Sequence, residues 1–309
     1  YLTIVAATVR YANARIPRDD WLEVSGIFIG KNEGDNVRIT ATYPIMHQEL
    51  DRDAVIDQYK WSDEDYVALA IIDDEAFTKD PPEFTVGWWH SHPGFKVMMS
   101  HIDIRTTLSY QESNPLAISL VFNPQRLIRQ IEVASKKGDP DIILKNDPGF
   151  KIFSLDDTRS GLEASYHDLE FEIEGYESMG QLISLTQKFI IDITNLFPKE
   201  KVPQTYENIV NGRIKELNSL LLGTEEYLTS ISKGGESNRI PEVLENQTLE
   251  IKKFVEETNK RIGYIKQFIG YLEYKERETI IPQVENIISK WEGEIADLDK
   301  KLNALSKKF

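Results

Sequence analysis

The sequence predicts a mixed α/β domain followed by an all-α helical domain, and three observations carry that prediction. Up to about residue 155, short apolar runs rich in β-branched and aromatic residues alternate with conventional turns. From about Ser178 onward, apolar residues instead recur at spacings of three and four over long stretches. The length, 309 residues, exceeds one small core and suits two domains of ordinary size, placed here at 1–177 and 178–309.

In the first domain the runs 2–9, 21–29, 37–45, 66–72, 84–90 and 117–122 read mostly as strands. The stretch 100–111 has a helical look, which makes the class mixed α/β. Turns are expected at Asn32-Glu33-Gly34, Asp80-Pro81-Pro82, Gly138-Asp139-Pro140 and Asp147-Pro148-Gly149. The charged, turn-rich segment 49–65 reads as a surface loop and is a candidate flap over a site.

In the second domain Leu182, Leu185, Phe189, Ile193 and Leu196 share one face of a helix that stops near Pro198. A helix over roughly 205–232 ends at Gly234-Gly235. The next carries the seam Ile251, Val255, Thr258, Ile262, Ile265, Ile269 and Leu272. The last repeats it after Pro282 with Val284, Ile288, Trp291, Ile295, Leu298, Leu302, Leu305 and Phe309. Such seams bury themselves in an internal bundle or against a partner's helices, and a long hairpin can do both.

Composition narrows the function. Against 36 basic residues stand 51 acidic ones, a formal charge of -15 that repels phosphate backbones and anionic lipid, so neither nucleic acid nor membrane is an expected partner. Cysteine is absent, so any metal must be held by His, Asp or Glu. No apolar run approaches the roughly 20 residues that span a bilayer. The opening residues, which start at Tyr1, show no signal-like segment, and the expectation is a soluble cytoplasmic protein.

The chemistry sits in Trp88-Trp89-His90-Ser91-His92-Pro93-Gly94-Phe95-Lys96-Val97-Met98-Met99-Ser100-His101-Ile102-Asp103. Alternate residues of a strand point the same way, so His90 and His92 can share one ion. A hydrolytic zinc site needs a third protein ligand and an open position, and without cysteine that ligand is a carboxylate or another His. Asp103 supplies it if the chain folds back after Pro93 and Ser100 caps a helix, because a carboxylate in the first turn is favoured by the helix dipole. Taken alone, SxxD is an ordinary capping box and HxH an ordinary histidine pair. Their combination is what points to a metal.

The segment HSHPGFKVMMSHID resembles the JAMM signature of MPN+ metalloproteases, and the likeness extends over most of the chain. In that family the two histidines and the aspartate bind zinc, which implies His90, His92 and Asp103 as ligands here. The family also uses a glutamate from an earlier strand, and Trp21-Leu22-Glu23-Val24-Ser25-Gly26-Ile27-Phe28-Ile29-Gly30 is similar to its EVxGxxxG segment, which makes Glu23 the general base. A carboxylate in so apolar a strand is costly to bury without a partner, which agrees. Ser100 takes the role of oxyanion donor. The helical tail is similar to that of the proteasome-lid and signalosome branch. The chain departs from that branch at Lys96-Val97-Met98, where Gly-Cys-Trp is usual, and at Asn123, where aspartate is common.

The resemblance implies a Zn2+-dependent isopeptidase that removes ubiquitin or a ubiquitin-like protein from lysines of target proteins. It also implies a proteasome or other MPN-domain partner engaged through the C-terminal helices. Of Trp88 and Trp89, one is expected in the core and the other on the wall of the substrate groove, with Phe95 a further groove candidate. His101 is expected to face solvent, and His47 and His167 are expected to be ordinary residues. Two alternatives stand beside this: a non-catalytic MPN scaffold subunit, and an MPN+ enzyme acting on small peptides.

Overall fold

The structure, a computed structural model, describes residues 1–49, 61–128, 130–134, 142–196, 201–235 and 237–308. It divides into two compact units, Tyr1–Asn195 with Tyr271–Lys275, and Leu196–Gly270 with Glu276–Phe309.

The first unit opens with helix α1 (Leu2–Tyr11), whose Ile4, Val5, Ala6, Ala7, Thr8 and Val9 are all buried. Burial on every side removes the polar stripe that marks an amphipathic helix, which is why 2–9 reads as a strand in sequence and is helical in fact. Strands β1 (Leu22–Glu33) and β2 (Asn36–Glu49) then form a hairpin that turns at Gly34 with φ 65°. Helix α2 (Asp63–Phe77) also replaces an expected strand over 66–72. Its start is fixed by a capping box in which the Ser62 hydroxyl accepts from the Asp65 N–H and the Asp65 carboxylate accepts from the Ser62 N–H.

Strand β3 (Phe84–Ser91), helix α3 (His101–Ser113) and strand β4 (Ile118–Phe122) follow as a βαβ unit. Next come β5 (Gln130–Ala134) and β6 (Ile142–Asn146), which among the described residues pair only with each other, then β7 (Phe150–Leu155) and β8 (Tyr166–Asp168). The main sheet has the order β2-β1-β3-β4-β7-β8, antiparallel throughout except for the parallel β3–β4 pair. Ile72 and Ala76 of α2 pack on Ile27, Ile29, Ile45 and Met46, while Met99 and Ile104 pack on Val121, Phe153 and Leu155. Each Ile, Val, Leu, Phe or Met among these contributes about 1.5–3 kcal/mol on burial, which anchors the helices on the sheet. The turn expected at 138–140 and residues 50–60 of the expected loop lie outside the described residues.

The chain continues into α4 (Met179–Leu196), α5 (Lys201–Lys233), α6 (Ile240–Ile269) and α7 (Tyr274–Lys308), a helical C-terminal region as expected. Pro198, where the first of these was expected to stop, lies outside the described residues. In the second unit Val210, Leu217, Thr224 and Ile231 of α5 are buried at a spacing of seven, as are Val284, Trp291, Leu298 and Leu305 of α7. The Trp291 Nε1–H donates to Asn259 Oδ1 of α6 at 2.8 Å, and Thr224 Oγ1 lies 3.2 Å from Gln247 Oε1. The seams therefore meet within an internal bundle. Two boundaries differ from expectation. Leu272 lies beyond the end of α6, and α7 starts ahead of Pro282, which it contains with Gln283 Nε2 donating to the neighbouring Thr279 carbonyl at 2.8 Å. No described helix is long and apolar enough to cross a membrane.

Candidate metal centre

Strand register brings the first three side chains together. Ser25 of β1 pairs with His90 of β3, so Glu23, two residues back on the same face, meets His92, two residues forward. His90 Nε2 lies 3.0 Å from His92 Nε2, and His92 Nε2 lies 3.6 Å from Glu23 Oε1. Among the described residues these three form a metal-ligand-type group, one donor atom of each within 4.8 Å of the others.

The fourth side chain arrives from α3. Ser100 caps that helix with φ -80° and ψ 172°, accepting from the Asp103 N–H at 3.3 Å, while Asp103 Oδ2 accepts from the Ser100 N–H at 2.6 Å. Asp103 Oδ1 is then 3.0 Å from His90 Nε2, and Oδ2 is 3.6 Å from His92 Nε2. An ion bound tetrahedrally by N and O donors at about 2.0–2.2 Å holds those donors roughly 3.4 Å apart. Separations of 3.0 to 3.6 Å around the two imidazoles fit that demand.

The protonation pattern also suits a cation. Burial, followed by the neighbouring His90 charge, pulls the His92 pKa down to about 4, against the smaller pull of Asp103 and the Lys96 carbonyl. A carbonyl can only accept, so the 2.8 Å contact between His92 Nδ1 and the Lys96 oxygen puts the proton on Nδ1 and leaves the Nε2 lone pair facing the cluster. Burial opposes ionisation of Asp103, yet the charge and hydrogen bond of His90, then His92 and the Ser100 N–H, hold its carboxyl down at about 2. A lone pair and a carboxylate therefore face one point at neutral pH.

The remaining candidates are placed less uniformly. Trp88 and Trp89 are both fully buried, with Trp88 Nε1–H donating to Thr107 Oγ1 at 3.1 Å and Trp89 Nε1–H to Thr42 Oγ1 at 2.8 Å. Neither indole therefore walls an open groove, because each face of the sheet is covered. Trp88 instead stacks on His90, centroids 4.5 Å apart at 11°. Phe95 is exposed, its ring 6.3 Å from that of His92. His101 is exposed, and His167 pairs with Asp156 at the surface. His47 contacts Glu273 at 2.5 Å, a partner that its sequence neighbourhood does not announce.

Two supporting roles escape the sequence reading. The Ser91 hydroxyl, fully buried between the two histidines, accepts the Val24 N–H at 2.9 Å and so ties β3 to β1 beside Glu23. Asn123 Nδ2 donates to the Phe95 carbonyl at 2.6 Å and steadies the turn after His92. A small hydroxyl between two strand histidines, facing the opposite way, is the available clue for the first, since a buried hydroxyl requires a partner.

A mixed sheet carrying a buried His-His-carboxylate cluster defines an α/β domain with a candidate single-ion centre. Residues 3–116 match the family model described as "JAB1/Mov34/MPN/PAD-1 ubiquitin protease". The chain is 24% identical over 158 residues to the 26S proteasome non-ATPase regulatory subunit 14 of Dictyostelium discoideum, covering 48% of this chain and 49% of that protein. It is 42% identical over 48 residues to the 26S proteasome regulatory subunit rpn11 of Schizosaccharomyces pombe, 16% of each chain, and 28% identical over 144 residues to the COP9 signalosome complex subunit 5 of Neurospora crassa, 45% of this chain and 39% of that one. The chain thus spans about half the length, or less, of these relatives. Over residues 3–116, which lie in the first unit, the chain is therefore similar to the JAB/MPN domain that these relatives share.

Proposed function

We propose that this chain is a zinc-dependent isopeptidase that removes ubiquitin or a ubiquitin-like protein from lysines of target proteins. The observation that supports it most is that His92 Nε2 has His90 Nε2 at 3.0 Å, Glu23 Oε1 at 3.6 Å and Asp103 Oδ2 at 3.6 Å, with Asp103 Oδ1 3.0 Å from His90 Nε2, so that two strands and a helix start contribute to one cluster. His90, His92 and Asp103 are the proposed ligands. Zinc, when bound there, supplies a Lewis acid that brings the pKa of a water toward about 7.

Glu23 accepts the proton of the attacking water and returns it to the departing lysine amine. The Ser100 hydroxyl accepts the Asp103 N–H, which leaves its own hydrogen to donate to the scissile carbonyl oxygen as that oxygen gains charge. Residues 1–177 act as the catalytic domain and 178–309 as the assembly domain, whose helices engage a proteasomal or other MPN-domain partner. Exposed Phe95 lines the approach of the substrate tail. A metal-free scaffold has no use for an ionised buried aspartate against two histidines, so the catalytic reading is preferred. The decisive test is metal content measured together with cleavage of a ubiquitin-like fusion, with and without chelator. Zinc-dependent cleavage is expected, and activity indifferent to the chelator overturns the proposal.

A further inference from the structure

Five residues, 271–273 of the turn after α6 and Tyr274 and Lys275 at the start of α7, belong to the first unit, although the chain on both sides of them belongs to the second. They carry charge into buried places. Glu273 is 8% exposed, and its Oε1 accepts from the Tyr11 hydroxyl at 3.0 Å and lies 2.5 Å from His47 Nδ1. The Tyr11 ring stacks on that histidine, centroids 4.2 Å apart at 18°. Two residues on, Lys275 Nζ lies 2.8 Å from Oδ1 of Asp65, the buried carboxylate of the α2 capping box. Tyr274, between them, packs on the cluster of Ile27, Ile29, Ile45 and Met46.

The segment therefore touches α1 through Glu273 and α2 through Lys275, with β2 between. β2 is an edge of the sheet, bonded to β1 alone, and exposed edges are commonly covered by a helix or loop. A turn that only sealed apolar surface needs no ions. Here a carboxylate meets the Tyr11 hydroxyl and the His47 imidazole, and an ammonium meets the Asp65 carboxylate, so two polar side chains of opposite sign reach different elements. The place matters because His47 pairs with Val24, and the next pair along is Gln48 with Glu23.

We propose that residues 271–275 are a clasp on the β2 edge, with Glu273 and Lys275 as positioning residues that hold the β1–β2 pair in register at Glu23. In this way residues 271–275, themselves part of the first unit, set the geometry of the candidate base. The inference rests on the reading of Glu23 given above for its kinetic consequence, and on the contacts alone for its structural one.

The test uses the full chain with Glu273→Ala, Glu273→Gln, Lys275→Ala and Tyr11→Phe. Hydrogen exchange, metal content and cleavage of a ubiquitin-like fusion are measured for each. Glu273→Ala is expected to raise exchange at least about tenfold in peptides covering 22–26 and 44–48, the effect of losing a charge-assisted hydrogen bond. Exchange in β3 and β4 and the bound metal stay unchanged. The kcat falls about tenfold at constant KM, within the roughly hundredfold that an ångström of misplacement costs. Glu273→Gln, which keeps an acceptor for Tyr11, recovers part of both effects. Unchanged exchange at 22–26, or an equal rise in every strand, overturns the clasp. Should Glu273→Ala fail to fold, Tyr11→Phe decides: a smaller rise in the same peptides supports the proposal, and none overturns it. A wild-type chain that cleaves nothing sinks the isopeptidase reading, while the exchange comparison still decides the clasp.

Discussion

Asp103 sets one carboxylate oxygen 3.0 Å from His90 Nε2 while its other oxygen accepts the Ser100 N–H at 2.6 Å. The two meanings of SxxD, helix cap and metal ligand, are therefore not rivals. The cap fixes the backbone and rotamer of α3's first turn, and the rotamer aims the free oxygen at the histidines. A carboxylate held this way loses little further entropy on meeting a cation.

The two jobs come apart by mutation. Asp103→Asn keeps an acceptor for the Ser100 N–H but loses the charge, so metal content is expected to fall toward zero while the helix stays folded. Ser100→Ala removes the cap at about 1 kcal/mol and an oxyanion donor worth roughly 10²–10³ in kcat, with metal retained. Metal analysis beside thermal melts checks both, and full metal occupancy in Asp103→Asn removes that residue from the ligand set.

The metal-stripped protein should show the strain of the cluster in its acid limb. Burial first of all holds the folded His92 pKa at about 4 against an ordinary 6.5, so the unfolded chain binds the extra proton and stability falls as pH drops from 6.5 toward 4. Asp103, depressed to about 2 from 3.8, adds stability that is complete above 3.8 and lost as pH falls through 2. His92→Gln should flatten the first window and Asp103→Asn the second, read from urea midpoints across pH. A mutant with the wild-type slope in its window contradicts that assignment.

Glu23 can be read as a base or as a third ligand, because its donor atom groups with the two histidines within 4.8 Å. Glu23→Gln decides. As the base, its loss leaves zinc bound and lowers turnover by roughly 10²–10⁴. Metal lost together with activity would move Glu23 into the ligand set.

How far the sequence reaches is clear residue by residue. His90, His92 and Asp103 are legible because period-two alternation and a helix cap are local rules that convert spacing into direction, whereas Glu23, about 70 residues earlier, is reached only through the resemblance of its strand to the EVxGxxxG segment. Helix α1 is not, since Ile4 to Val9 are apolar on every side and periodicity carries no information there. Helix α2 is announced by the Ser62–Asp65 box, the same pattern as Ser100–Asp103, but the apolar run after it resembles a strand, and Val67 and Ile71 turn out exposed. The burial of both tryptophans depends on Thr42 and Thr107, partners 47 and 19 residues away, and no local rule supplies such distant contacts.

Gly26 is a point where β1 tolerates no side chain. An added Cβ would stand 2.1 Å from the Tyr43 carbonyl oxygen and 2.7 Å from Trp89 Nε1, beside the register shift between Ser25 and Gly26. Backbone cannot retreat there, so Gly26→Ala is expected to destabilise the first unit by about 3 kcal/mol. Chemical denaturation measures it, and a loss below about 1 kcal/mol would contradict the close approach.

Ser91 ties the histidine strand to the glutamate strand through a single hydrogen bond to the Val24 N–H at 2.9 Å, with no exposed surface. Ser91→Ala strands that buried amide, which costs about 1–3 kcal/mol. Its chemical consequence is separate, because Val24 adjoins Glu23 while His90 and His92 flank Ser91. Losing the tie frees the base relative to the imidazoles, without touching any donor atom. The expected pattern is a lower kcat with metal content unchanged, together with faster exchange of the Val24 amide. If the amide keeps its protection in Ser91→Ala, β1 is held by its ladder alone and the hydroxyl has no part in aligning the site.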